Sequence, residues 1–251
     1  MVKRILLVLA APIVLLLLAL AINTLRHGSR QIEVAPAPTL ALDENAAAQR
    51  LAAAVRLRTI SFDGRDAASA GEFRKLHALL KKSFPRAHAV LKRETVNELS
   101  LLYTWPGSDP AAKPIMLMAH QDVVPIAPGT ERDWQVDPFA GEIRDGFVWG
   151  RGAWDDKANL FAIFEAIETL AASGFRPRQT LYIASGHDEE VGGEQGARAI
   201  AALLQSRGVR LDFVVDEGLL ITEGILKGLD RPAALIGIAE KGYLTLALAA
   251  K

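Results

Sequence analysis

Residues 115–122 read Ile-Met-Leu-Met-Ala-His-Gln-Asp: an unbroken apolar run that ends in His120 and Asp122, two positions apart. A short apolar run between Pro114 and a polar stop reads as a strand buried on both faces. Residues two apart in extended backbone face the same way, so His120 and Asp122 leave the strand end together. Working outward, the same design recurs at 99–104, 180–185 and 211–215. The 180–185 run leads into Asp188, Glu189 and Glu190, and the 211–215 run into Asp216. Helical spacing marks 159–172 and 195–207 between these strands. It also marks 43–57, capped by Asp43, and 72–84, where Phe73, Leu76, Leu79 and Leu80 share a face and Pro85 ends the pattern. Strands alternating with helices predict an α/β fold, a mostly parallel sheet with helices on both faces. Ligands of such sheets bind beyond the carboxyl ends of the strands.

Those ends carry the chemistry. In the pair at 120 and 122, one side chain is suited to bind a metal while the other accepts its second N–H. Adjacent carboxylates at 189 and 190 repel unless a cation or a shared proton stabilises them. A fourth cluster, Asp155 and Asp156, stands just before a helix, where free backbone N–H groups orient carboxylates. With no cysteine in the chain, any metal is held by His, Asp and Glu.

Composition sets the outer bounds. A chain of 251 residues that is 50% hydrophobic buries a substantial core. The formal net charge of +0 lacks the basic excess of nucleic-acid binders, so nucleic acid is not an expected partner. Residues 1–30 read as an uncleaved membrane anchor: Lys3 and Arg4 precede an uncharged, apolar run from Ile5 to Leu25. Roughly 20 such residues span a hydrocarbon core of about 30 Å. The rest of the chain would then lie on the non-cytoplasmic side. The alternative is a secreted protein cut after Ala21, since Ala19-Leu20-Ala21 resembles a signal-peptidase site. Residues 31–42, with Pro36 and Pro38, read as a linker, followed by a metal-binding domain over 43–238.

The segments MAHQDVVP (118–125), WGRGAWDDK (149–157), GHDEEVGGEQGAR (186–198) and VVDEG (214–218) together resemble a known family. It is that of the co-catalytic zinc metallopeptidases related to carboxypeptidase S, aminoacylase and glutamate carboxypeptidase. IAEKGYLTLAL (238–248) extends the likeness. The resemblance implies two Zn2+ ions, with Co2+ or Mn2+ as substitutes. Asp155 would bridge them, His120 and Asp216 complete one site, and Glu190 serve the other. Glu189 would be the general base that takes a proton from a metal-bound water, and Asp122 would fix the tautomer of His120. The expected substrate is a peptide or an N-acyl amino acid, cleaved in carboxypeptidase fashion. The alternatives are a co-catalytic aminopeptidase and an inactive, receptor-like or structural homologue.

The resemblance also implies a histidine for the second zinc and another from a lid, neither of which can be assigned before Lys251. Residues 239–251, with a strand from about Tyr243 to Ala250, would open a lid and dimerisation domain, and the chain reads as a fragment of a homodimeric enzyme. Other residues read as structural. His187 shapes a strand end, His77 and His88 are packed or exposed, and His27 flanks the anchor. Trp134, Phe139 and Trp149 pack the connection to Asp155, and Gly150 and Gly152 permit a tight turn there.

Overall fold

The computed structural model describes residues 2–27, 34–35, 41–62, 67–218, 220–239, 246 and 248. It divides into two units, Met1–Ala41 and Leu42–Lys251. The first holds helix α1 (Val2–Arg26). Its described side chains begin at Ala10. Among the described residues no helix is long and apolar enough to cross a membrane. Most of the expected linker, and the expected strand over 243–250 apart from Leu246 and Leu248, lie outside the described residues.

In the second unit α2 (Glu44–Val55) starts where expected, with the Asp43 carboxylate accepting the Ala46 N–H at 2.9 Å. Helix α3 (Ala67–Ser83) begins five residues before the expected Glu72, carried by small residues that a helix tolerates. Pro85 does not lead into a loop. It opens a short helix, α4 (Pro85–Val90), because proline's fixed φ and missing N–H suit a first helical turn. His88 therefore lies on a helix rather than in a connection. Strands β1 (Lys92–Val96), β2 (Ser100–Trp105) and β3 (Ile115–Met118) follow. A hairpin of β4 (Glu142–Arg144) and β5 (Phe147–Trp149) then leads to α5 (Lys157–Ala172), β6 (Leu181–Ser185) and α6 (Ala197–Ser206). The remaining strands are β7 (Val214–Val215), β8 (Ile221–Thr222) and β9 (Ala233–Ala234). The expected 211–215 strand is regular only at its end, although Asp212 still donates to the Pro114 carbonyl at 2.8 Å.

The central sheet runs β1-β2-β6-β3-β7. β2 is antiparallel to both its neighbours while β3 is parallel to β6 and β7, so every strand but β2 points one way. Alternation sorts the side chains by face. Leu101, Tyr103, Trp105 and Ile183 join Leu76, Leu80, Phe84, Phe161 and Phe164 of α3, α5 and the residue before α4 in the larger core. Leu102, Met116 and Ala184 meet Ile200 and Leu204 of α6 on the other face. Helices thus cover both faces, and β3, β6 and β7 all end toward the same edge.

Candidate metal centre

His120 follows β3 by two residues and is almost fully buried. Its Nδ1 lies 3.0 Å from the main-chain oxygen of Asp122 and 3.3 Å from that residue's Oδ1. Both are acceptors, so Nδ1 carries the hydrogen and Nε2 presents its lone pair. The carbonyl is the nearer of the two, so main chain and carboxylate share the orienting role expected of the carboxylate alone. Nε2 faces Asp155 Oδ1 at 2.8 Å, Glu217 Oε1 at 3.4 Å and Glu189 Oε2 at 3.9 Å. A lone pair pointed at carboxylates is repulsive unless a proton or a metal cation lies between them.

The Asp122 carboxylate is fully buried and organises the opposite wall. Oδ1 accepts the backbone N–H of Glu189 at 3.1 Å, and Oδ2 accepts that of Glu190 at 3.0 Å and the Ser61 hydroxyl at 2.6 Å. The two glutamates are presented by a single 3-10 turn, Glu189–Val191, just past β6. Asp156 is also buried. It holds the His120 N–H at 3.1 Å and the amide of Asn159, not the N–H groups of the helix start as expected. Lys157, fully buried, donates to the carbonyls of Ala54 and Leu57 at 3.0 and 2.6 Å, tying the start of α5 to the end of α2.

The proton affinities record a surplus of negative charge around one imidazole. Burial alone would lower His120, but the hydrogen bond and charge of Asp122, with the charges of Asp156 and Glu217, lift it to about 10. Burial, with Asp156 beside it, pushes Glu217 up to about 7. Burial raises Asp156 to about 7, against the pull of His120. Glu189 and Glu190 are raised by burial and by their acidic neighbours. A bound cation relieves all of these at once.

Among the described residues, two sets of donor atoms lie close enough to hold an ion: His120, Asp155 and Glu190, and His120, Asp156 and Glu217. Each offers imidazole nitrogen and carboxylate oxygen, which fits zinc and similar ions. Of the expected ligands, the structure gathers His120, Asp155 and Glu190. Asp216 accepts the Glu217 N–H at 2.9 Å and lines, with His120 and Glu189, a cavity of about 280 Å³. It is Glu217, not Asp216, that approaches Nε2. The adjacency of 216 and 217 was the only trace of this in the sequence. A larger cleft of about 630 Å³, between Arg58, Trp134 and Phe139, contains none of the cluster.

His187 Nδ1 lies 2.6 Å from the Ser100 hydroxyl, its ring edge-on to Phe73. Trp134, Phe139 and Trp149 lie under the guanidinium groups of Arg151, Arg58 and Arg144. His77 is buried and hydrogen-bonded to Gln121 at 2.7 Å.

A helix-covered, mainly parallel sheet that gathers one imidazole and several carboxylates at its edge defines an α/β protein of metal-site type. Residues 116–236 match the family described as Peptidase family M20/M25/M40. The chain is 44% identical over 207 residues to the mouse (Mus musculus) N-fatty-acyl-amino acid synthase/hydrolase PM20D1, a match covering 80% of this chain and 39% of that protein. It is 39% identical over 243 residues to the probable carboxypeptidase S-like 2 of Dictyostelium discoideum, covering 93% and 46%. Human carnosine dipeptidase 1 shares the fold, with a TM-score of 0.57 at 22% identity over 74% of this chain and 43% of that one. Residues 116–236 thus carry an M20/M25/M40 peptidase domain, and the chain spans less than half the length of these relatives.

Proposed function

We propose that the chain is the metal-binding segment of a zinc-dependent hydrolase that cleaves an amide bond in peptides or N-acyl amino acids. The observation that carries this reading is the meeting of His120, Asp155 and Glu190, whose donor atoms all lie within 4.8 Å of one another. The names of the relatives, an N-fatty-acyl-amino acid synthase/hydrolase and a probable carboxypeptidase S-like protein, support the substrate class. His120, Asp155, Glu190 and Asp216 would hold the zinc. Zinc, when bound, supplies Lewis-acid polarisation and raises the acidity of water. The chain's residues do the rest. Asp122 holds the imidazole hydrogen in place, and its grip on the backbone of 189 and 190 fixes both glutamates. The half-exposed carboxylate of Glu189 takes a proton from water and delivers it to the leaving amine. We further propose that the apolar run Ile5 to Leu25 anchors the protein in a membrane, with the hydrolase domain on the non-cytoplasmic side.

Zinc content and hydrolysis decide the matter. The chain, loaded with zinc and dialysed, is expected to retain the metal, and the full-length protein to release amino acid from N-acyl amino acids or N-blocked dipeptides, with free-amine anilides as the contrasting substrate. His120→Ala is expected to lose most of the zinc. A protein that holds no metal, or an alanine variant that holds as much as the parent, would overturn the assignment.

A further inference from the structure

The segment just after α2 falls in no regular strand, yet it lies along the residues that bear the site. Ile60 bridges Val123 in parallel. The Val123 N–H donates to the Thr59 carbonyl at 3.0 Å, and the Ser61 N–H to the Val123 carbonyl at 3.3 Å. Thr59 Oγ1 donates to the main-chain oxygen of Gln121 at 2.7 Å. Residues 59–61 therefore splint residues 121–123. Their chemical contact with the site is the Ser61 hydroxyl, 2.6 Å from Asp122 Oδ2. Thr59 and Ser61 are both buried, so water is not a ready substitute for either bond.

We infer that Ser61 is a positioning residue of the metal centre, acting through Asp122; the inference rests on the reading of the site given above. The rotation of a carboxylate about its terminal torsion is soft, with a broad well. Here that rotation is fixed by donors on both oxygens: Glu189 N–H and the imidazole on one, Glu190 N–H and Ser61 on the other. Ser61 is the only one of these donors that comes from outside the ligand-bearing segments. Without it Oδ2 keeps a single donor, the carboxylate plane turns, and both the His120 ring and the turn carrying Glu190 lose their reference.

Outer partners of metal ligands typically contribute about 10- to 100-fold in metal affinity. Ser61→Ala is accordingly expected to weaken zinc binding about 10-fold or more, measured on the full 251-residue chain by competition with a chelator. Ser61→Thr, which keeps the hydroxyl, should stay within about threefold of the parent. Ser61→Cys keeps the volume but offers a weak donor, and should lose affinity as alanine does, which guards against a fold defect peculiar to one variant. The thermal midpoint of the zinc-free proteins is read alongside. A structural role alone would lower the midpoint and leave affinity unchanged. Parent-like zinc affinity in both the alanine and cysteine variants would overturn the inference while leaving the site reading intact, as would equal losses in the alanine and threonine variants. A parent chain that binds no zinc would overturn both.

Discussion

Glu189 and Glu190 differ by one position and both donate their backbone N–H to the Asp122 carboxylate, yet their surroundings differ. Glu190 lies within the donor set of His120 and Asp155, whereas Glu189 stands 3.9 Å from the imidazole with half its side chain open. Glu189→Gln is expected to keep zinc and lose at least about 100-fold in kcat, with a smaller change in KM, because the amide preserves shape and removes the proton acceptor. Glu190→Gln should instead weaken zinc at one site. Side-by-side metal analysis and steady-state kinetics test the contrast, and equal behaviour of the two variants would mean that both act only through their charge. His120, Asp155 and the glutamate pair were legible in the sequence because each closes a strand or opens a helix beside a recognisable run. Ser61 was not, since a hydroxyl that meets a carboxylate 61 residues away leaves no local pattern. Glu217 was hidden for another reason: adjacent acids at a strand end point opposite ways, and only the fold decides which faces the imidazole.

The β4–β5 hairpin shows how elements are held by single backbone positions. Asp145 and Gly146 both have positive φ, the conformation that an Asp-Gly hairpin turn requires. Gly141, just before β4, also has positive φ, and a Cβ there would run into the carbonyl oxygen of Ala52 in α2. A Cβ at Gly146 would meet nothing within 4 Å. Gly146→Ala should therefore cost about 1–2 kcal/mol, the ordinary penalty of a left-handed residue. Gly141→Ala should cost more, because strain and collision act together. Denaturant titration of the two variants checks the order, and equal costs would count against the contact with α2. The long apolar strands β2, β3 and β6 were readable from the sequence, as were the amphipathic helices α2, α5 and α6. The edge strand β1, Lys-Arg-Glu-Thr-Val, was not: an edge is charged to discourage further pairing and lacks a buried strand's apolar run. The two three-residue strands of the hairpin are set by turn chemistry and by contact with α2, not by periodicity.

At the scale of the molecule, the N-terminal unit makes its own prediction. If the run from Ile5 to Leu25 is an anchor, the protein should stay with the membrane pellet through carbonate extraction, and N-terminal sequencing should find the segment intact. A soluble mature chain beginning at Ile22 would exclude anchoring while leaving export in place. The direction of the chain was legible at this scale because every strand of the sheet but β2 runs one way, which sends the ends of β3, β6 and β7 to a common edge. What covers the exposed Val214, Val215 and Ile221 was not legible, since apolar spacing reports that a surface seeks a partner but not which one. The same layout bears on how the protein is made. His120 meets Asp155 35 residues later, and Asp122 meets the backbone of Glu190 68 residues later. At about 5–20 residues per second of synthesis, roughly 5–20 s pass between the emergence of His120 and that of Glu217. Until Glu190 emerges within that interval, the ribosome-bound chain lacks the full donor set of His120, Asp155 and Glu190. On the proposed reading, ion capture by that set follows the synthesis of residue 190 and is a late step in the assembly of the domain.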